Sequence, residues 1–303
     1  MGEISIAPKF NIHETYKKVR ILNPYRNSSS PSGGGYLLDT YDSVLAYSTL
    51  KLKTGSNSPL RVENTVSENL ELLFTGDSYS LASLVSDGRT LDQFRNGDAA
   101  SVYSWIDQTG KGNDVQGITG KKPTVVRSTN VFSEMNGNPS LSFYESLMER
   151  PAISELDAGN AFTIYSVCSI FSSIGTIMST TVNGDRLVQF ADTRTDKRNI
   201  FIITDSVYAA DMSQVRSDLN TPVLRVGSSS GTAISSWDNM ANGDQNIGFS
   251  GTYSNDKLRL GEQFNGITSL IGDLQFFMIR AGEDSDTVRN DISTKINALF
   301  NIF

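Results

Sequence analysis

The stretch at residues 105–116 reads Trp-Ile-Asp-Gln-Thr-Gly-Lys-Gly-Asn-Asp-Val-Gln, a pattern that predicts a strand end, a glycine turn and a new strand. Gly110 and Gly112 can take positive φ angles at little steric cost. The short side chains of Asp107 and Asn113 can hydrogen-bond loop groups that no strand ladder satisfies. We therefore predict that these four residues form a structural turn, in which the glycines serve the backbone rather than a ligand.

Further segments on both sides of this turn complete a family pattern. They are Leu-Leu-Asp-Thr-Tyr at 37–41, Ala-Tyr-Ser-Thr-Leu-Lys-Leu at 46–52, Pro-Leu-Arg-Val-Glu at 59–63, Asn-Pro-Ser-Leu-Ser-Phe at 138–143, Phe-Thr-Ile-Tyr-Ser-Val at 162–167, Leu-Arg-Leu-Gly at 258–261 and Ile-Asn-Ala-Leu-Phe-Asn-Ile at 296–302. In this order they resemble the laminin-G-like, concanavalin A-type domains of phage structural proteins and bacterial surface proteins. The order is also similar to the catalytic sandwich of fungal arabinofuranosidases of the B type. The resemblance implies an all-β fold, a concanavalin A-like jelly-roll sandwich of two antiparallel sheets with one C-terminal helix.

The hydrophobic pattern supports the same architecture. From residue 101 onward, short apolar runs alternate with Gly, Asn, Asp and Ser clusters, as expected of a sandwich or barrel. The run at 274–280 is apolar on both faces and predicts a central strand. After Asp284 or Ser285 as N-cap, Val288, Ile292 and Ile296 recur at helical spacing and predict a closing helix. Residues 45–52 and 91–94 fit either helical turns or strands.

The chain begins with a segment that does not share the sandwich pattern. Residues 27–35 read Asn-Ser-Ser-Ser-Pro-Ser-Gly-Gly-Gly, a flexible-linker composition. We therefore predict an extended N-terminal anchoring arm and linker at residues 1–35 and a sandwich domain at residues 36–303. The arm would dock on neighbouring subunits through apolar side chains, namely Phe10, Ile12, Tyr16, Val19, Ile21 and Tyr25.

Charge and composition exclude several classes of partner. The chain has a formal net charge of −7, although its first 35 residues hold five basic and two acidic groups. The acidic body disfavours binding to nucleic-acid phosphates, whereas the basic arm suits an acidic protein surface. The N-terminal Met-Gly-Glu-Ile-Ser-Ile lacks a secretory signal, and no apolar run approaches the length of a membrane span. We expect synthesis in the cytoplasm and no contact with a membrane.

Histidine and cysteine are too scarce for two common kinds of site. Cys168 is the single cysteine, so no internal disulfide forms, and with His13 as the single histidine a structural zinc site fails on ligand count. His13 also lies in the arm, which disfavours a histidine-dependent nucleophile. We expect no metal and no cofactor.

Carboxylates offer a different route to catalysis. A glycosidase needs two, roughly 5 to 9 Å apart, and the arabinofuranosidase resemblance draws attention to Asp205, Asp211, Glu262 and Asp273. These lie in the later segments where that family keeps its acid and nucleophile. Their immediate surroundings do not match the family motif, so no catalytic position is carried over and the sequence predicts no catalytic residue.

One loop has the composition of a sugar-binding site. Residues 237–246 combine an aromatic ring with amides and carboxylates, which can stack on a sugar and bond its hydroxyls. We assign the candidate glycan site to Trp237, Asp238, Asn239, Asn242 and Asp244. The alternatives are a calcium site and a plain hairpin loop. For this site Trp237 must be exposed, whereas Trp105 is expected in the core.

These observations favour a non-enzymatic structural protein of a bacteriophage virion, such as a capsid decoration, head fibre, collar or tail component. It would be displayed outward on the virion as a homo-oligomer, held to other virion proteins by its arm, with surface glycans as candidate ligands. The alternative is a glycoside hydrolase of the arabinofuranosidase type.

Overall fold

The chain folds almost entirely into antiparallel strands. The structure, a computed structural model, describes residues 35–127, 131–157, 159–171, 175–182, 185–193, 198–203, 220–242, 247–248, 255–262 and 269–303. Residues 35–303 form one compact unit. The six apolar residues predicted to form the assembly arm lie outside the described residues, as do Asp205, Asp211 and Asp244. The arm, its partners and the domain boundary at residue 35 therefore stay predictions.

The described residues form twenty strands and three α-helices. The strands are β1 (Leu45–Ser48), β2 (Leu60–Glu63), β3 (Asn69–Leu72), β4 (Ala100–Trp105), β5 (Val115–Gly117), β6 (Thr124–Val126), β7 (Glu134–Met135), β8 (Asn138–Pro139), β9 (Leu141–Tyr144), β10 (Met148–Pro151), β11 (Ala161–Ile170), β12 (Gly175–Val182), β13 (Asp185–Thr193), β14 (Arg198–Ile203), β15 (Val223–Ser230), β16 (Ala233–Asp238), β17 (Ala241–Asn242), β18 (Ile247–Gly248), β19 (Lys257–Leu260) and β20 (Ile271–Ala281). The helices are α1 (Leu37–Thr40), α2 (Leu91–Arg95) and α3 (Asp286–Phe300). Residues 45–48, which the sequence left open, are thus a strand, and 91–95 a short helix.

Two antiparallel ladders make up the sandwich. In the helix-side sheet the order is β16, β15, β11 and β20, and β20 also pairs with β1 and β9. In the open-face sheet the order is β3, β2, β4, β5, β10, β19, β12, β13 and β14. Strand β6 pairs with both β4 and β9 and joins the two ladders. The predicted all-β sandwich with a C-terminal helix is confirmed, and β20 is the central strand expected at 274–280.

Side chains from both ladders fill the space between them. Phe162, Ile164 and Cys168 alternate along β11 and belong to this interior core, as the two-residue period of a strand requires. Trp105 is fully buried there. Its ring centroid lies 5.6 Å from that of Tyr47 in a stacked arrangement, so aromatic packing links β4 of one sheet to β1 of the other.

Helix α3 covers the outer face of the helix-side sheet. Ser285 is its N-cap and accepts a hydrogen bond from the Val288 amide, which settles the choice between Asp284 and Ser285. Ile292, Ile296 and Phe300 are fully buried in a second core against that sheet. Among the described helices, none is both long and apolar enough to cross a membrane.

The predicted turn is organised around the carboxylate of Asp107, which is only 4% exposed. Its Oδ1 accepts from the amides of Ala46 (3.0 Å) and Thr109 (3.1 Å), and its Oδ2 accepts from Thr109 Oγ1 (2.6 Å) and the Asn113 amide (3.1 Å). Gly110 and Gly112 have φ of +80° and +74°, the conformation that the sequence analysis expects. One side chain therefore ties the β4–β5 loop to strand β1.

We expect Asp107→Ala to lower the free energy of unfolding by about 3 to 5 kcal/mol, because each buried donor left without a partner costs about 1 to 3 kcal/mol. Urea unfolding followed by circular dichroism measures the loss. Asp87→Ala is the matched control: Asp87 accepts a hydrogen bond from Arg89 at an exposed turn, and its loss should be much smaller because exposed ion pairs contribute little to stability. Equal losses for both variants would show that the Asp107 network does not carry the fold.

Candidate functional site

A row of polar residues runs across the outer face of the open-face sheet. The strand register places them side by side, each opposite the next, in the order Glu71, Arg61, Ser104, Gln116, Glu149, Arg259 and Ser179. Their sequence neighbours, such as Trp105, Met148 and Leu260, belong to the interior core, so the alternation of a strand turns this row outward. Helix α3 lies on the other sheet, and we call this row and its surroundings the polar face.

On the polar face, the Glu149 carboxylate lies close to two cationic side chains. Its Oε1 lies 2.7 Å from Arg259 Nε and its Oε2 lies 3.3 Å from Lys257 Nζ. The Glu149 and Arg259 side chains are 16% and 18% exposed. The carboxylate is thus partly buried between two cations on the neighbouring strand β19.

Glu262 follows the last residues of β19 and is almost completely buried, at 4% exposure. Its Oε2 lies 2.6 Å from Lys121 Nζ, and its backbone carbonyl accepts a hydrogen bond from Ser179 Oγ at 3.0 Å. Because Ser179 belongs to the polar row, Glu262 lies at the edge of the polar face. The carboxylate is therefore fixed in position beside a half-exposed lysine.

Glu262 follows Gly261, a position where only glycine fits without strain. Gly261 has φ of +91°, and a Cβ atom there would lie 2.4 Å from the Phe143 ring and 2.5 Å from the Ser146 carbonyl oxygen. No L-residue with a side chain fits that space or that backbone angle without strain. The Gly261 carbonyl accepts a hydrogen bond from the Leu270 amide at 2.7 Å. This bond joins the residue before Glu262 to the segment that leads into β20.

Asp273 lies elsewhere, on β20 of the helix-side sheet opposite Ser142. Burial raises the pKa of Asp273 to about 6, although the Arg127 guanidinium and the Ser142 hydroxyl lower it in part. Arg127 Nη2 is 3.4 Å from its Oδ1. Glu262 and Asp273 belong to different sheets and share no bonded partner among the described residues, so the structure does not join them into one carboxylate pair.

The sequence treats Glu262 and Glu149, both on the polar face, differently. Glu262 was a candidate, but Glu149 was not. The alternation in Lys-Leu-Arg-Leu at 257–260 predicts that Lys257 and Arg259 share a face, yet no local signal places Glu149 opposite them. In the described parts of the chain, no three His, Cys, Asp or Glu side chains converge on a metal position.

The candidate glycan loop has a different environment from the one that the sequence predicts. Trp237 is 5% exposed in the core under α3, and Arg289 of that helix lies over its ring at 3.7 Å from the centroid. The expectation of an exposed ring is therefore wrong, because the apolar face of α3 needs a partner on β16. Trp105 is buried as expected.

The polar residues after Trp237 form a hairpin. Asp238 lies 3.8 Å from the buried Arg225, and the Asn239 Oδ1 accepts from the Leu224 amide at 2.9 Å. Asn242 pairs through its backbone with Trp237, and Asp244 lies outside the described residues. Glycan binding by this loop stays a prediction, without the Trp237 ring as its stacking surface.

Comparison with known proteins gives the fold but no family. No family model matches the sequence, and no curated protein matches it. Among solved structures, the fold is similar to a GH54 α-L-arabinofuranosidase soaked with a cyclic sulfate inhibitor, at TM-score 0.62 and 11% identity over 86% of this chain and 64% of that one. An arabinofuranosidase complexed with arabinofuranosyl-α-1,2-xylobiose gives TM-score 0.61 and 12% identity over the same shares. A Trypanosoma rangeli sialidase reaches only 0.45, at 11% identity over 77% of this chain and 42% of that one, and that likeness supports no argument.

These neighbours correct the functional prediction. The sequence analysis expected a virion protein without enzymatic activity, whereas the similar structures are glycoside hydrolases with inhibitors and substrates bound. The phage structural role and the absence of an enzyme are therefore wrong, and the alternative, a glycoside hydrolase, is the better supported. The part of the predicted resemblance that the comparison supports is a β-sandwich fold similar to that of glycosidases. The chain spans 64% of the length of these arabinofuranosidases, and the likeness establishes the fold alone.

Asp273 makes stability depend on pH. Because its pKa of about 6 exceeds the ordinary value near 4, the native state holds this proton more tightly than the unfolded chain. Its contribution to stability is therefore present below about pH 4 and is lost as pH rises through 6. We expect the free energy of unfolding of Asp273→Asn, taken relative to that of wild type at the same pH, to rise by up to about 3 kcal/mol between pH 4 and pH 8. Urea unfolding of both proteins at each pH measures this difference.

Arg127→Gln provides the matched variant for this measurement. It removes the cation that lowers the Asp273 pKa, so the fall in stability should extend to higher pH. A difference between wild type and Asp273→Asn that is the same at every pH would contradict the raised pKa.

Proposed function

We propose that this chain is a glycoside hydrolase of the arabinofuranosidase type, which binds its substrate on the polar face. The observation that carries the proposal is the buried carboxylate of Glu262, held at the edge of that face by a glycine that no other residue can replace. The fold similarity to arabinofuranosidases over 86% of this chain supports the reaction class. The substrate class follows from those neighbours: α-L-arabinofuranosides or related furanosides.

The chemistry requires a second carboxylate on the same face. Glycosidases act with two, one giving a proton to the leaving oxygen and one acting as nucleophile or base, roughly 5 to 9 Å apart. Glu149 is opposite Arg259, and Arg259 precedes Glu262 by three residues. At the rise of a strand, the Cα atoms of Arg259 and Glu262 are at most roughly 10 Å apart.

We assign different roles to the two carboxylates. Glu149 faces two cations at 2.7 and 3.3 Å, an arrangement that suits a group acting as an anion. Glu262 has one cation, Lys121, whose side chain is 46% exposed. Because Glu262 is almost completely buried and contacts a single cation, we assign it as the acid that protonates the leaving oxygen.

Hydrolysis of 4-nitrophenyl α-L-arabinofuranoside by the full chain tests the proposal. We expect turnover by wild type and a loss of at least about 100-fold in kcat/KM for Glu262→Gln, in line with the contribution of general acid catalysis. Asp286→Asn is the control, since Asp286 is an exposed residue in the first turn of α3 on the other sheet, and it should stay within threefold of wild type.

The outcomes separate the reaction from the residues. If wild type hydrolyses neither this compound nor other aryl furanosides, the hydrolase proposal is refuted. If wild type is active and Glu262→Gln retains full activity with an unchanged melting temperature, the chain is a hydrolase but Glu262 is not its acid. Glu149→Gln, assayed in parallel, tests the second assignment in the same way.

A further inference from the structure

A cavity of about 490 Å³ lies at the end of the sandwich where β1 begins and β10 and β20 end. Its wall includes Lys111 and Asn113 of the Asp107 turn and Arg150 at the end of β10. The volume falls in the range of small-molecule sites. This cavity is separate from the polar face, because Arg150 continues the inward row of β10 that begins with the buried Met148.

Arg150 brings an incompletely used guanidinium group into this cavity. Its Nε donates to the Pro151 carbonyl at 3.2 Å, whereas its Nη1 is buried and has no hydrogen-bond partner among the described residues. Burial raises the pKa of the neighbouring Tyr47 hydroxyl, which the Arg150 charge counteracts in part. The Tyr47 hydroxyl also hydrogen-bonds Arg150, so the partners of this guanidinium are neutral, and a partly buried cation with neutral partners favours an anionic ligand.

The other charges of the wall are already paired. Lys111 Nζ lies 2.8 Å from Asp42 Oδ1, and Arg280 Nε lies 3.0 Å from Asp284 Oδ2. Lys111 also donates to the Ser43 carbonyl at 2.6 Å. Arg150 contacts only neutral groups, the Pro151 carbonyl and the Tyr47 hydroxyl, so among the described residues it is the cation of the wall without a carboxylate partner.

The same wall selects against multiply charged ions. Asp42 and Glu155 both line the cavity, and their oxygens repel a dianion but accept hydrogen bonds from hydroxyl groups. An arginine fork matches the planar geometry of a carboxylate. The cavity therefore suits a ligand with one carboxylate and several hydroxyls, of about the size of a monosaccharide.

We propose that this cavity is a binding site for a sugar acid, whose carboxylate pairs with Arg150 and whose hydroxyls bond Asp42 and Glu155. The site is independent of the hydrolase proposal, since none of its residues belongs to the polar face. A chain without hydrolytic activity could still bind a sugar acid here, and a hydrolase could lack this site.

Isothermal titration of the full chain with D-glucuronate at low ionic strength tests the site, with D-glucose and inorganic phosphate as comparison ligands. We expect saturable binding of glucuronate, at least tenfold weaker binding of glucose, and at least tenfold weaker binding of phosphate. Arg150→Gln should weaken glucuronate binding at least tenfold. Arg89→Gln, which removes an exposed arginine bonded to Asp87 and Glu68, should leave it within twofold.

Each result decides the proposal. No binding of glucuronate, equal binding of glucose, or equal binding of phosphate would overturn it, as would unchanged affinity in Arg150→Gln. If Arg150→Gln does not fold, Arg150→Lys replaces it: the charge is kept but the planar fork is lost, so binding should still fall severalfold. Full affinity in Arg150→Lys would overturn the carboxylate contact.

Discussion

The hydrogen bonds of the buried Asp107 carboxylate join the two sheets of the sandwich and hold the turn that lines the cavity at its end. The carboxylate bonds the Ala46 amide of β1 in the helix-side sheet from a loop between β4 and β5 of the open-face sheet. Gln108 adds to this link, since its side-chain amide donates to the Ser48 and Leu50 carbonyls at 3.0 Å and accepts from the Leu52 amide at 2.8 Å. The two sheets are thus joined by hydrogen bonds as well as by their shared apolar core.

This link also shapes the end of the sandwich. The turn that Asp107 organises carries Lys111 and Asn113 into the wall of the cavity, and the Asn113 side-chain amide donates to the Val44 carbonyl at 2.7 Å. The sequence analysis treated the turn as structural alone. Its backbone conformation is indeed set by local chemistry, but the fold uses the outer side of the same turn to line a cavity.

Three of the acidic groups on or near the strands differ in what surrounds them. Glu149 is partly buried between two cations, Glu262 is buried beside one lysine, and Asp273 is buried so that its pKa rises. These differences arise from position in the sheets rather than from residue type, since all three are carboxylates in strand-like segments. What each carboxylate can do therefore depends on its place in the fold and not on its presence in the sequence.

The sequence alone determined the features that depend on a few neighbouring residues. Gly110 and Gly112 with Asp107 specify a turn. A capping residue at Asp284 or Ser285 followed by a helical apolar period specifies α3, and two-residue alternation specifies which side of a strand is buried. It also indicated the sandwich, because the spacing of strands and turns is local. The tertiary structure decided which distant residues meet. Lys121 reaches Glu262 across 141 positions, Trp237 is buried because α3 lies on β16, and Arg150 meets Tyr47 at the sandwich end. Such pairs depend on strand order and register, which are fixed by the packing of the whole core and leave no trace in any short stretch of chain.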